Sequence, residues 1–397
     1  MTQPLVLTSY TTVNACGRGL DETLRALRSD KSGLRPCDFE HVGLDTYIGR
    51  VEAVENCPLD DDLRGFDCRN NRLAQMALQT DGFADAVERA ANRHGPERIA
   101  VIMGTSTSGI GEGEAAYRMR ASPDDELPQS FNFTATQDFY SLPRFVRQYL
   151  KLTGPSMTVS AACASSSKVF ADAWQWIEAG LCDAAVVGGV DSLCLLTLRG
   201  FHSLELLSSG PCRPNDVNRS GLSIGEAAGF ALIERPAAPE PDSIALFGYG
   251  ESSDAYHMSA PHPEGKGAYM AMRAALARAG LEPSDIDYIN LHGTGSKAND
   301  RVEGNAIFRI FEQSVPTSST KGWTGHALGA AGITEAVISC LCLREGFIPR
   351  NLFLENLDLD ILSAVQESTI DRPLQRVLSN SFGFGGNNAS LVLGRVS

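Results

Sequence analysis

The chain has 397 residues, of which 43% are hydrophobic and 21% charged, and a formal net charge of −14. That length exceeds the size at which a single hydrophobic core divides, so two core units are expected. The acidic balance excludes a nucleic-acid binder, which would carry a basic face, and disfavours an anionic membrane surface. No run of about 18 apolar residues occurs, and the opening MTQPLVLTSY lacks the basic region and cleavage site of a signal peptide. A cytoplasmic protein with no membrane span is therefore expected. The ten cysteines are scattered, with no CxxC pair, and are expected to be reduced. Cys340 and Cys342 lie two apart on a predicted helix and diverge, so no metal site is expected there.

In chain order, Leu5–Leu7 reads as a strand and Leu20–Arg28 as a helix, with 29–66 mostly loop. A helical apolar period covers Arg69 to Ala91. Arg98–Met103 is a buried strand running into GTSTSGIGEG, whose glycines do not keep the dinucleotide-binding spacing and precede no Walker lysine. Met157–Val159 is a strand ending in small residues, then Cys163, three serines and a helical pattern through Ile177. Strands follow at Ala184–Val187 and Ala228–Ile233. The proline-rich segment from Arg235 to Asp242 marks a boundary, giving halves 1–238 and 239–397. The second half reads as a strand at Ile244–Tyr249, a helix at Gly267–Ala279, a strand at Ile286–Leu291 and a helix at Gly329–Arg344. SMTVSAACASSSKVFADAW in the first half parallels VPTSSTKGWTGHALGAAGITEAV in the second. An internal duplication of βαβ units with mixed sheets covered by helices is the simplest account, and two unrelated domains remain the alternative.

Three residues stand where chemistry is done. Cys163 sits at a predicted helix start, where free backbone N–H groups and the positive helix end favour thiolate, although free cysteine is also a common small core residue. His292 ends a buried strand and is followed by Gly293 and Gly295, which let a substrate approach; a loop histidine held by its backbone reads equally well. His326 stands at the mouth of a helix so rich in Ala and Gly that it must be buried tightly. Lys321 lies five residues earlier and taken alone reads as a solvated lysine.

Together, VSAACASSS, GGVDSL with LTLRGFHSLELLS, CRPND, GEAAG, HMSAPHPEG, NLHGTGSKANDRVE, STKGWTGHALGAAGITEA and NSFGFGGNNAS identify the chain as similar to the β-ketoacyl-[acyl carrier protein] synthases, elongating condensing enzymes of the thiolase superfamily. The resemblance implies an α/β thiolase-like fold of two pseudo-duplicated halves in five layers, αβαβα. It implies decarboxylative condensation of an acyl thioester with malonyl-acyl carrier protein, in fatty acid or related polyene or polyketide synthesis. Cys163 would be the acylated nucleophile, and His292 and His326 the donors to the malonyl thioester oxygen. Lys321 would support the histidines, and Glu335 would hold Lys321 directly or through a monovalent ion. Phe384 would gate the site and share an oxyanion hole with Cys163, with Phe382 beside it on the substrate. Thr294 and Ser296 fall where the phosphopantetheine arm is bonded, and Arg69 and Arg72 where the family docks carrier protein, a solvated helix face being an even alternative. The implied partners are acyl carrier protein, malonyl and acyl thioesters, and a second subunit, identical or related. No resident cofactor is implied, because phosphopantetheine arrives on the carrier.

Asn215, Ser220 and the pair Asn387, Asn388 depart from the family pattern, which leaves chain length and substrate class open. Two other readings compete. A non-catalytic partner subunit that sets chain length is disfavoured by the retained Cys163, His292 and His326. A thiolase or hydrolase is disfavoured because no cysteine occupies 383–386.

Overall fold

A computed structural model describes residues 3–40, 42–235 and 240–396. Ten strands carry the architecture: β1 (Leu5–Asn14), β2 (Ile99–Gly104), β3 (Ser156–Val159), β4 (Ala184–Asp191), β5 (Ala227–Glu234), β6 (Ile244–Ser253), β7 (Tyr288–Asn290), β8 (Pro316–Ser318), β9 (Arg376–Gly383) and β10 (Asn387–Arg395). In the first half they run in the order β3-β2-β4-β5-β1, and in the second β8-β7-β9-β10-β6. The second order is the first advanced by five places. The pairing senses also repeat: β2 is parallel to β3 and β4, and β7 to β8 and β9. The remaining pairs in each half are antiparallel. The repeat heard in the sequence thus has a topological counterpart. β1 and β6 join the two arrays through the antiparallel pairs Leu5–Leu246 and Val6–Ala245. The expected boundary between 238 and 239 lies outside the described residues.

Strand side chains alternate between faces, so each array feeds two cores. From β2, Ala100 and Ile102 enter the central core and Ile99, Val101 and Met103 the outer one; from β10, Leu391 and Leu393 point inward and Val392 outward. The central core is filled by helices α2 (Ser165–Glu178) and α6 (Ala331–Glu345), which pack on strands of both halves. Helix α1 (Arg69–Leu78) covers the outer face of the first array, and α4 (Lys266–Ala279) with α5 (Lys297–Phe311) that of the second. The layers are therefore helix, sheet, helix, sheet, helix, as expected. Every residue of α6 from Ala331 to Leu343 is buried, which explains its small side chains. At Gly332 a Cβ would lie 2.1 Å from Ser167 Oγ, so only glycine lets α6 cross α2 this closely.

Two local expectations are corrected. The period over 69–91 is broken, because the chain leaves α1 and re-forms a helix only at Phe83–His94. Asp81 takes a left-handed φ of 55°, and its carboxylate accepts from Thr11 Oγ1 at 2.7 Å, a tertiary bond that periodicity does not register. β1 runs through Asn14, because the polar stretch after Leu7 is paired strand by strand with β5.

Candidate active site

The turn between β3 and α2 carries Cys163. Ala162 adopts a left-handed φ of 49°, a conformation that costs a non-glycine residue energy and needs surrounding support. Ser165 supplies it: its Oγ accepts from Ala161 N at 2.8 Å and donates to Ala162 O at 2.6 Å. Cys163, only 6% exposed, opens on a cavity of about 680 Å³ shared with His292, His326, Phe382 and Phe384. The first half thus supplies the thiol, and the second half both imidazoles.

His326 Nε2 lies 3.0 Å from Cys163 Sγ. The two imidazoles meet edge to face with centroids 5.3 Å apart. One ligand atom from each of Cys163, His292 and His326 falls within 4.8 Å of the others, close enough for all three to touch one small reacting group, or to ligate a metal ion. Backbone bonds fix both histidines: His292 N donates to Glu303 Oε1 at 2.8 Å and His326 N to Ser223 O at 2.7 Å. Lys321 Nζ donates to the carbonyl of His292 at 2.5 Å and is paired with buried Glu335. Lys321 is fully buried, so the solvated-lysine alternative is excluded.

Electrostatics correct one expectation. Burial pushes the Cys163 thiol up to about 12, against the opposing pull of the Lys321 ammonium and the Phe384 backbone N–H. The helix start does not prevail in the resting site, and the thiol is neutral. Both imidazoles are held well below their ordinary value, first by burial and then by Lys321, with His326 adding to the effect on His292. They are therefore neutral at pH 7, each able to present one N–H. Burial also raises Glu335 to about 7 despite its pairing with Lys321.

Phe384 stacks on Phe201 with centroids 5.5 Å apart, and Phe382 sits 6.1 Å from His292. Gly385 and Gly386, after Phe384, have φ of 76° and 74°, left-handed values that explain the glycine pair. Thr294 and Ser296 both line the cavity, but Ser296 is also the cap of α5, accepting from Asn299 N at 3.3 Å. Among the departures, Asn215 has φ 64°, a region asparagine tolerates better than an aromatic residue. Ser220 shares a 3.0 Å hydrogen bond with Ser208, and Asn388 ties the loop after Phe384 to Asp254 at 3.0 Å.

Arg69 and Arg72, which the resemblance places where carrier protein docks, are both held in ion pairs within the protein. The Arg69 guanidinium is 17% exposed and grips buried Glu226 with two bonds of 2.8 and 2.6 Å. Glu226 in turn accepts from Val51 N and Leu193 N, so Arg69 neutralises a carboxylate that ties loops together. Arg72 is bonded to Asp67 through two bonds of 2.6 and 2.7 Å. Sequence reading passed over two further carboxylates. Glu303 holds the His292 turn, and buried Asp191, at the end of β4, accepts from Thr105, Thr107 and Gly329. Both lie within motifs that carry the family resemblance, Asp191 in GGVDSL and Glu303 at the end of NLHGTGSKANDRVE.

Comparison with known proteins follows the same lines. Residues 2–238 match the model of the beta-ketoacyl synthase N-terminal domain, and residues 245–355 that of the C-terminal domain. The chain is 40% identical over 343 residues to 3-oxoacyl-[acyl-carrier-protein] synthase 2 of Rhizobium meliloti, covering 81% of this chain and 79% of that one. To the synthase of the same name from Coxiella burnetii it is 31% identical over 411 residues, covering 99% and 98%. Among solved structures, a chain from the complex of a ketosynthase with its chain length factor, from Xenorhabdus doucetiae, superposes with a TM-score of 0.88 at 42% identity, covering 99% and 98%. Among the described residues, no helix is long and apolar enough to cross a membrane.

Proposed function

The chain belongs to the β-ketoacyl synthase family, and from that premise we propose how its cavity performs decarboxylative condensation of an acyl thioester with malonyl-acyl carrier protein to give a 3-oxoacyl-acyl carrier protein. The observation that carries the reading is the meeting of one thiol and two neutral imidazoles in a buried cavity, with His326 Nε2 3.0 Å from Cys163 Sγ.

In the first step Cys163 sulfur bonds to the acyl carbonyl carbon, the carrier thioester bond breaks, and the thiol proton leaves with the carrier sulfur by way of His326. Cysteine suits a two-stage transfer because its thioester is open to a second attack. The backbone N–H groups of Cys163 and Phe384 stabilise the developing oxyanion. In the second step the malonyl carbon–carboxyl bond breaks, carbon dioxide leaves, and negative charge develops on the thioester oxygen. N–H groups of His292 and His326 meet that charge; losing one such donor costs about 10²- to 10³-fold in rate. The enolate carbon then attacks the acyl-Cys163 carbonyl, the carbon–sulfur bond breaks, and the departing thiolate takes up one proton from solvent, which replaces the proton that left on the carrier sulfur.

Neutral imidazoles serve this better than charged ones, because the enzyme returns to the same state after each turn. Burial keeps them so, and the Lys321 ammonium adds to it by opposing a second positive charge. The chemistry needs no resident cofactor. Glu335 Oε2, buried without a hydrogen-bond partner among the described residues, is where a monovalent ion would fit. Acyl carrier protein is the substrate carrier, a second chain of this fold the assembly partner, and the cytoplasm the location. The divide between the pseudo-repeated halves falls in the proline-rich segment at 238–239.

Retention of all three reacting residues favours this reading over a non-catalytic chain-length subunit. The test incubates the purified protein with acyl-carrier thioesters of several lengths and weighs the peptide containing Cys163, then adds malonyl-carrier protein. An acyl mass on Cys163 and a 3-oxoacyl product are expected. Absence of both, alone and with co-purified partner, would exclude the condensing role.

A further inference from the structure

A buried carboxylate without a counter-cation stands near the thiol. Asp191 accepts from Thr105 Oγ1 at 2.6 Å, Ser106 N at 2.8 Å, Thr107 N at 3.0 Å and Gly329 N at 2.6 Å, and also from the Ser106 and Thr107 hydroxyls. Every bond is donated to it, as an ionised carboxylate requires, and every donor is neutral. Among the described residues Asp191 has no ion-pair partner. Burial is the first reason the Cys163 thiol is raised, and Asp191 and Glu335 add to it, so both carboxylates act on the sulfur through space. Lys321 cancels Glu335 in its ionised form. Asp191 is left over, a negative charge facing a site that holds no positive one of its own.

The groups nearest that charge are a thiol and two imidazoles, the ligands zinc takes most readily. Their ligand atoms lie within 4.8 Å of one another, with His326 Nε2 3.0 Å from Cys163 Sγ. In a tetrahedral zinc site sulfur and nitrogen stand about 3.5 Å apart, so shifts of about 1 Å would close the three on one ion. Both imidazoles are neutral, the state in which they ligate. Both Nδ1 atoms are buried without a hydrogen-bond partner among the described residues, so each ring can carry its proton there and offer its other nitrogen. The acceptor that strengthens a resident metal site is missing at Nδ1, which suits an ion that comes and goes. All three residues line the cavity, whose wall includes Phe201 of α3 (Leu195–Ser203), so a fourth position is open to water.

We infer that the unacylated site is a reversible binding site for a zinc ion, held by Cys163, His292 and His326, and that the bound ion blocks acyl transfer. The block rests on the condensing reading above; the coordination does not. On binding, a sulfur–zinc bond forms, the thiol proton is released to solvent, and no electron is transferred. The thiolate and Asp191 together balance the two charges of the ion. Once Cys163 carries an acyl group its sulfur has no charge to give, so zinc acts on the free enzyme and the acyl-enzyme is protected.

The test titrates the purified, metal-free protein with Co²⁺, whose sulfur-to-metal band in the near ultraviolet and visible bands of four-coordinate geometry report the ligands, and then displaces it with Zn²⁺. The native protein is expected to show both sets of bands, saturating at one ion per chain. Cys163→Ala should lose the sulfur band, and His292→Ala and His326→Ala the four-coordinate bands. His292→Ala keeps the backbone N–H that Glu303 holds, so its turn is retained. One equivalent of Zn²⁺ is expected to abolish acylation of Cys163 by a carrier-linked acyl thioester, and a chelator to restore it. Protein acylated before zinc is added should still condense with malonyl-carrier protein. No bands in the native protein would overturn the inference, as would the same bands in Cys163→Ala, which would place the ion on other cysteines. Zinc bound without loss of acylation would overturn the block. If the metal-free native protein takes no acyl chain, the condensing reading itself fails, while the cobalt bands still decide the zinc site.

Discussion

Glu303 binds the backbone N–H of His292 at 2.8 Å and that of Gly293 at 2.8 Å, one with each carboxylate oxygen, so a residue of α5 sets the turn that aims the imidazole. Replacing it with glutamine puts an amide NH₂ against one of two N–H donors. One buried hydrogen bond is lost, at a cost of about 1–3 kcal/mol, and malonyl decarboxylation slows because His292 is no longer fixed. Burial holds Glu303 up to about 7 from 4.5 despite those bonds. A raised folded pKa means the native state binds the proton more tightly than the unfolded one. The stability it contributes is thus complete below about 4.5 and lost as pH rises to about 7. Urea melts at pH 5 and 8 should show a smaller loss in Glu303→Gln than in the native protein, the remainder belonging to Glu335, which burial also raises to about 7.

A Cys163 thiol pushed up to about 12 predicts how it meets an alkylating agent. Only thiolate reacts, so the rate of iodoacetamide labelling at Cys163 should rise about tenfold per pH unit from pH 7 to 10 with no plateau. A plateau below pH 8 would instead mean a thiolate–imidazolium pair with His326. Mass mapping of the labelled peptide distinguishes Cys163 from the nine other cysteines.

Separate elements supply thiol and imidazoles, so the two half-reactions should come apart. Cys163→Ala abolishes acyl transfer while malonyl decarboxylation persists, because both N–H donors remain. His292→Ala lowers carbon dioxide release by about 10²- to 10³-fold and leaves Cys163 acylatable. Labelled carbon dioxide release and the acyl mass on the protein measure the two steps independently.

Arg69 neutralises Glu226, which is wholly buried. Removing one partner of such a pair leaves an uncompensated charge, and Arg69→Ala should cost about 3–5 kcal/mol of stability. Arg72→Ala, at a more exposed pair, should cost under about 1 kcal/mol. Denaturant melts give both values; a KM rise for carrier substrate without destabilisation in Arg69→Ala would instead assign it to carrier docking.

The sequence carried the repeat, the buried strands and the reacting residues because each leaves a local mark. A continuous apolar run marks β2, a run of Ala and Gly marks α6, and small residues around Cys163, His292 and His326 mark places where a backbone must come close. It also determined the family, since many short motifs stood in one order. The tertiary structure alone decided the charge states. Whether Cys163 is thiol or thiolate depends on how much water the closed cavity removes, and desolvation here outweighs the helix end that the sequence makes visible. It alone showed that Arg69 is spent on Glu226, because an ion pair between residues 157 positions apart has no local signature. Patterns of apolarity are written along the chain, whereas partnership between charges exists only once the chain has folded.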